Sequence, residues 1–99
     1  MISNRLLQDC LEDFSDIVRL NMALYDRNGA CIAGEEDEAP EVGVITTFCG
    51  SAADMQALGS RYLFKVGGQE NEYVLSVSGG SKDIYPMGQL AVRQLERIL

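Results

Sequence analysis

From Ser60 to Gly80 apolar and polar residues alternate on either side of a short connection that contains glycine. Tyr62, Phe64 and Val66 alternate with Leu63 and Lys65, and Tyr73, Leu75 and Val77 alternate with Val74, Ser76 and Ser78. Between them lies Gly67-Gly68-Gln69-Glu70-Asn71, a connection of ordinary hairpin length. A period of two sends successive side chains to opposite faces of a strand pair. The apolar face then needs a cover, and helical patterns stand near both ends of the chain.

Ser3 is placed to cap the first of these. Behind it Leu6, Leu7, Cys10, Leu11, Phe14, Ile17 and Val18 recur at three- and four-residue steps, with Asp9, Glu12, Asp13 and Asp16 on the other side. This spacing predicts an amphipathic helix with one apolar stripe. Asn21 to Tyr25 follows, apolar on both faces, and runs into Asp26-Arg27-Asn28-Gly29. Asn-Gly supplies the positive-φ positions of a tight hairpin turn, and Ala30 to Ala33 reads as the return strand. A strand apolar on both faces belongs inside a sheet. Gly34 ends the unit.

Glu35-Glu36-Asp37-Glu38 and Glu41 form the one charge run. Acids ahead of a helix suit the positive end of its dipole, and Pro40 stands where a first helical residue would. No EF-hand-like spacing converges these acids on a metal. From Glu41 to Leu58, Val42, Ile45, Phe48, Cys49, Ala52 and Met55 keep a helical step, and Gly59 fits the residue after a helix end. The β-branched Val44-Ile45-Thr46-Thr47 and the glycines at 43 and 50 weaken it. We read a helix broken around Gly50-Ser51, and such an imperfect helix over a sheet is where a pocket could form. After Gly79-Gly80, Ser81 or Asp83 can cap a last helix, with Pro86 in its first turn. Met87, Ala91, Leu95 and Ile98 line its apolar face. It reaches Leu99 without a stop signal, so the chain reads as the front part of a longer protein.

Ninety-nine residues make a single domain with its own core. No run approaches the roughly 18 apolar residues of a membrane span, and the N-terminus lacks a signal-peptide pattern, so no membrane contact and a cytoplasmic location are expected. A net charge of −7 argues against direct contact with nucleic-acid phosphates. The chain has no histidine, and Cys10, Cys31 and Cys49 show no CxxC spacing. The usual zinc sites and Ser-His-Asp or Cys-His catalysis are therefore absent, and buried reduced thiols are expected. Gly67-Gly68 and Gly79-Gly80 lack the context of a nucleotide loop. No nucleophile or proton shuttle can be assigned, so no catalytic residue, metal or cofactor is expected.

Arg61, Tyr62, Lys65, Tyr73, Ser76 and Ser78 could line a small-molecule site on the strands. Arg61, Tyr62, Tyr73 and Ser76 are the candidate ligand-binding residues, and the Arg61 guanidinium suits an acidic ligand.

Three segments carry a resemblance to a known family: RLLQDCLEDFSDIV-x-x-NMALYDRNG (Arg5 to Gly29), LGSRYLFKV-x-x-x-x-NEYVLSVSG (Leu58 to Gly79) and YPMGQLAVRQLERIL (Tyr85 to Leu99). In this order they resemble the N-terminal sensory domain of bacterial transcription regulators of the sugar-diacid and purine-catabolism type. The resemblance implies a non-catalytic PAS-like or GAF-like input domain. A small-metabolite effector would act through the last helix on a DNA-binding domain outside this chain. The residues themselves offer four clear strands in an α+β domain of order α-β-β-α-β-β-α, an antiparallel sheet of four to five strands flanked by helices. PAS and GAF sheets usually have five or more strands, so a roadblock-like or profilin-like arrangement is the alternative. That form implies a protein-interaction or dimerisation scaffold without a ligand pocket. Two terminal helices with apolar stripes can cover a sheet and still leave a surface for a twin, so a homodimer is expected.

Overall fold

A computed structural model describes residues 4–34, 40–67, 72–79 and 84–99. The order is α1 (Asn4–Val18), β1 (Asn21–Asp26), β2 (Cys31–Gly34), α2 (Val42–Cys49), β3 (Met55–Leu58), β4 (Arg61–Gly67), β5 (Glu72–Ser78) and α3 (Ile84–Ile98). The strands form one antiparallel sheet of five, ordered β2-β1-β5-β4-β3. The expected α+β architecture with a helix-flanked antiparallel sheet is what forms. Ser3, the acids at 35–38, the hairpin connection at 68–71 and the capping candidates Ser81 and Asp83 lie outside the described residues.

The alternation along the strands builds two cores, one on each face of the sheet. Met22, Leu24, Phe64, Val66, Leu75 and Val77 pack under Leu7 and Leu11 of α1 and Ile84, Ala91 and Leu95 of α3. Ala23, Tyr25, Leu63 and Val74 point the other way, under Ile45 and Phe48 of α2. β1 contributes to both cores, which is why it is apolar on both faces and sits between β2 and β5. Register follows from the same pattern: Leu24 pairs with Leu75, and Leu75 with Phe64. A one-residue slip would turn every one of these side chains toward the wrong layer.

The β1–β2 turn is wider than a two-residue hairpin. Only Gly29 of the Asn-Gly pair has positive φ, its N–H donates to the Asp26 carbonyl, and the Asp26 carboxylate accepts from the Asn28 and Ala30 N–H groups. α1 stops at Arg19, which turns left-handed at φ 58 while its N–H still reaches the Ser15 carbonyl.

The stretch from Glu41 to Leu58 departs from expectation. The helix ends at Cys49, and Met55–Leu58 is a strand, giving the order α-β-β-α-β-β-β-α. Gly59 belongs to the tight β3–β4 turn and not to a helix end. Met, Gln, Ala and Leu are good helix formers. Here their local preference is overridden by pairing with β4, from Met55 opposite Phe64 to Leu58 opposite Arg61.

α3 approaches the sheet closely at Gly88, where an added Cβ would stand 2.4 Å from the Phe64 ring. In an open helix Gly→Ala gains about 1 kcal/mol. Overpacking a filled core costs about 1–3 kcal/mol, so the collision decides the sign. Gly88→Ala is expected to lower the urea-unfolding free energy. A gain in stability would mean that α3 can lift off β4 at little cost.

Candidate functional site

The four candidate ligand residues do not converge. Arg61 and Ser76 lie on the α2 face: Arg61 pairs with Leu58 and Ser78, and Ser76 is fully buried between Ala23 and Leu63. Tyr62 and Tyr73 lie on the opposite face, packed against the core under α1 and α3. Tyr62 is level with Val77, four residues along β5 from Tyr73 and so roughly 13 Å away. Tyr62 instead joins an aromatic group, its ring centroid 6.3 Å from Phe64 and 6.5 Å from Tyr85. Lys65, also on the α2 face, holds its Nζ 5.5 Å from the Phe48 ring centroid and donates to the Ser51 carbonyl.

A polar cleft of about 240 Å³ opens between α1, β1 and β2, lined by Gln8, Glu12, Ser15, Asp16, Asn21 and Gly34 among others. It contains none of the four candidates. Two carboxylates give it the wrong sign for an acidic ligand, and its volume falls below the roughly 300–1,000 Å³ of small-molecule pockets. Among the described residues no cluster of three or more His, Cys, Asp or Glu could hold a metal. Nor is any helix there long and apolar enough to cross a membrane.

The thiols differ from expectation. Cys31 is exposed at the start of the edge strand β2, while Cys10 and Cys49 are half-buried. Burial pushes the Cys10 thiol up, with Asp13 adding to the effect. Cys49 is raised by burial first and then by Glu72, against the opposing pull of Lys65 and Arg27. Both stay protonated thiols, a poor starting point for redox chemistry.

Among the described residues, what the fold leaves open is a sheet edge. At β2 the edge is blunted: its pairing with β1 shifts register at Leu24/Tyr25, and the Gly34 N–H donates to Gln8 Oε1 at 2.8 Å. β3, at the other edge, has no charge, proline or bulge. The Lys65 N–H donates to the Asp54 carbonyl at 2.9 Å, which makes that facing pair a hydrogen-bonded one. By the alternation of an antiparallel ladder, Gln56–Leu63 and Leu58–Arg61 are bonded as well. The N–H and C=O groups of Met55 and Ala57 therefore point off the sheet.

The surface beside this edge is unusual for the chain. From Val42 to Ser60 the sequence holds a single charge, Asp54, although 23% of all residues are charged. Val42, Gly43, Thr46, Thr47, Ala52, Ala53, Gln56 and Leu58 are nonetheless exposed. The acids are concentrated elsewhere, leaving α2 and β3 as an uncharged, small-residue expanse next to unpaired strand groups.

No family model matches the chain, and no curated protein matches it. Among solved structures it is similar to Myxococcus xanthus MglB, with a TM-score of 0.64 over 97% of this chain and 89% of that one, at 11% identity. At that identity the likeness shows the fold.

Proposed function

We propose that this domain is a non-catalytic, roadblock-like protein-interaction module that pairs with a second copy of itself through β3. The open, uncharged β3 edge is the observation that carries the reading. An exposed strand of this kind is a template for pairing, and natural proteins otherwise disarm it with lysines, prolines or bulges. The likeness to MglB, a roadblock-like structure, supports the same reading. A two-fold axis at Gln56 would set Met55 of each copy against Ala57 of the other, every outward N–H meeting an outward C=O. The continuous sheet would carry both α2 helices on one side, where an uncharged surface can be buried without stranding ions. The sensory reading needs Arg61, Tyr62, Tyr73 and Ser76 around one ligand, and they are divided between the faces of the sheet.

Proline separates the interface from the fold. The Ala57 N–H takes no part in the β3–β4 ladder, so Ala57→Pro removes a donor only from the outer edge. The Gln56 N–H points inward, so Gln56→Pro breaks a ladder bond of the domain itself. In sedimentation equilibrium at about 0.5 M salt, where charged surfaces are screened, the unaltered chain is expected at the mass of two copies and Ala57→Pro at one. Ala57→Pro should keep its circular dichroism, whereas Gln56→Pro should lose stability. A single-copy mass for the unaltered chain, or a dimer indifferent to Ala57→Pro, would remove the β3 reading.

A further inference from the structure

The layer of α1 and α3 has its own exposed apolar seam. An α-helix turns roughly 100° per residue, so the contacts on one flank of each helix fix where the other flank points. Gln8 of α1 reaches the Gly34 N–H on β2, and Leu6, Cys10 and Ile17 lie on the opposite flank. On α3, Tyr85 turns toward Phe64 and Tyr62 of β4, and Glu96 Oε2 accepts from the Gly67 N–H at 2.9 Å. Its opposite flank carries Met87, Leu90 and Gln94. α1 and α3 touch each other, so these second flanks border their common seam. Among the described residues three aliphatic side chains remain out in the water there: Leu6 at 53% exposure, Ile17 at 80% and Leu90 at 47%.

Charge identifies what could cover them. The crest of α1 is acidic, with exposed Asp9, Asp13 and Asp16 outnumbering the exposed Arg5 on the same ridge, and the crest of α3 presents exposed Arg93 and Arg97. A basic partner would match α1 and meet two arginines on α3; an acidic partner would fail the other way round. A surface divided in the same sense, turned over by a two-fold axis, satisfies both halves, and a second copy of this chain has it. In an isologous contact residue i meets j and j meets i, so the acids of α1 find the arginines of α3 twice and the aliphatics meet between them. The net charge of −7 opposes self-association in general. Across this layer the pairing of unlike ridges reverses that repulsion locally.

We propose that the α1–α3 layer is a second self-association surface, on which α1 of one copy lies across α3 of another. It is separate from β3 pairing and joins two β3-paired dimers where both contacts form.

Sedimentation equilibrium at about 0.02 M and about 0.5 M salt tests it, because exposed charges interact across a far longer distance at the lower ionic strength. In low salt the unaltered chain is expected to reach the mass of four copies as concentration rises, and to fall to two in high salt. Arg93→Glu with Arg97→Glu should hold it at two copies in low salt, and adding Asp9→Arg with Asp13→Arg should restore four. Ala57→Pro, deprived of the strand contact, should still pair in low salt and become monomeric in high salt. The proposal is overturned if low salt never raises the mass above the high-salt value. Indifference to the Arg93/Arg97 reversal, or failure of the charge swap to rescue it in a folded protein, also overturns it. Loss of β3 pairing alone would show as a dimer insensitive to Ala57→Pro and dissociated by the reversal.

Discussion

Phe48→Ala is expected to lower the free energy of unfolding by about 3–5 kcal/mol, the range for removing a fully buried aromatic side chain. The α2 face of the sheet has little else to lose. α2 is an eight-residue helix that buries Ile45 and Phe48, and Glu41 gives it no side-chain cap. A helix of that length has no stability of its own in water. It exists because those two side chains fill the space over Ala23, Tyr25, Leu63 and Val74. Removing the ring also takes away the surface under the Lys65 ammonium. For a domain of this size, total stability is on the order of 5–15 kcal/mol, so the variant should sit near its unfolding threshold. Urea titration gives the total, and hydrogen exchange should show the α2 amides losing protection before those of β1 and β5. A loss under about 1 kcal/mol would mean that neighbouring side chains collapse into the space, contrary to the usual partial relaxation.

The elements that could be read in advance are those with long, regular patterns. α1 and α3 each run through about four turns with an unbroken apolar stripe, β4 and β5 alternate, and β1 is apolar from Met22 to Tyr25. Met55–Leu58 offered no such signal. Four residues cannot show a period, and Met, Gln, Ala and Leu lean toward helix. Their strand state is fixed by Leu63 and Phe64, which come later in the chain. The ligand candidates failed to converge for a reason the sequence already held: Arg61 and Tyr62 are adjacent on one strand, and adjacent strand residues point to opposite faces. Chemical type groups these side chains, and strand parity separates them. The signal for the β3 surface was also present, in the near absence of charge from Val42 to Ser60. It becomes meaningful only once that segment is known to border an open edge.

Gly34→Ala is expected to cost about 3 kcal/mol, more than any cavity its single methyl could fill, because strain and collision act together. Gly34 ends β2 at φ +83, a conformation that L side chains rarely adopt. A Cβ there would lie 2.3 Å from the Met22 carbonyl oxygen and 2.8 Å from the Ala23 Cα. Both are backbone atoms of β1, which is held along its other side by β5 from Asn21 to Asp26. They cannot rotate aside as a side-chain tip would. The cheapest relief is for the end of β2 to peel away from β1, which breaks the Gly34 N–H bond to Gln8 Oε1 and loosens the cover over buried Ala33. That hydrogen bond contributes about 1 kcal/mol, so Gln8→Ala alone should cost about that much. The double variant should then lose less than the sum of the two, since the same bond disappears in both. Strict additivity in urea titration would show that β2 stays paired in Gly34→Ala and that the strain is absorbed by β1 instead.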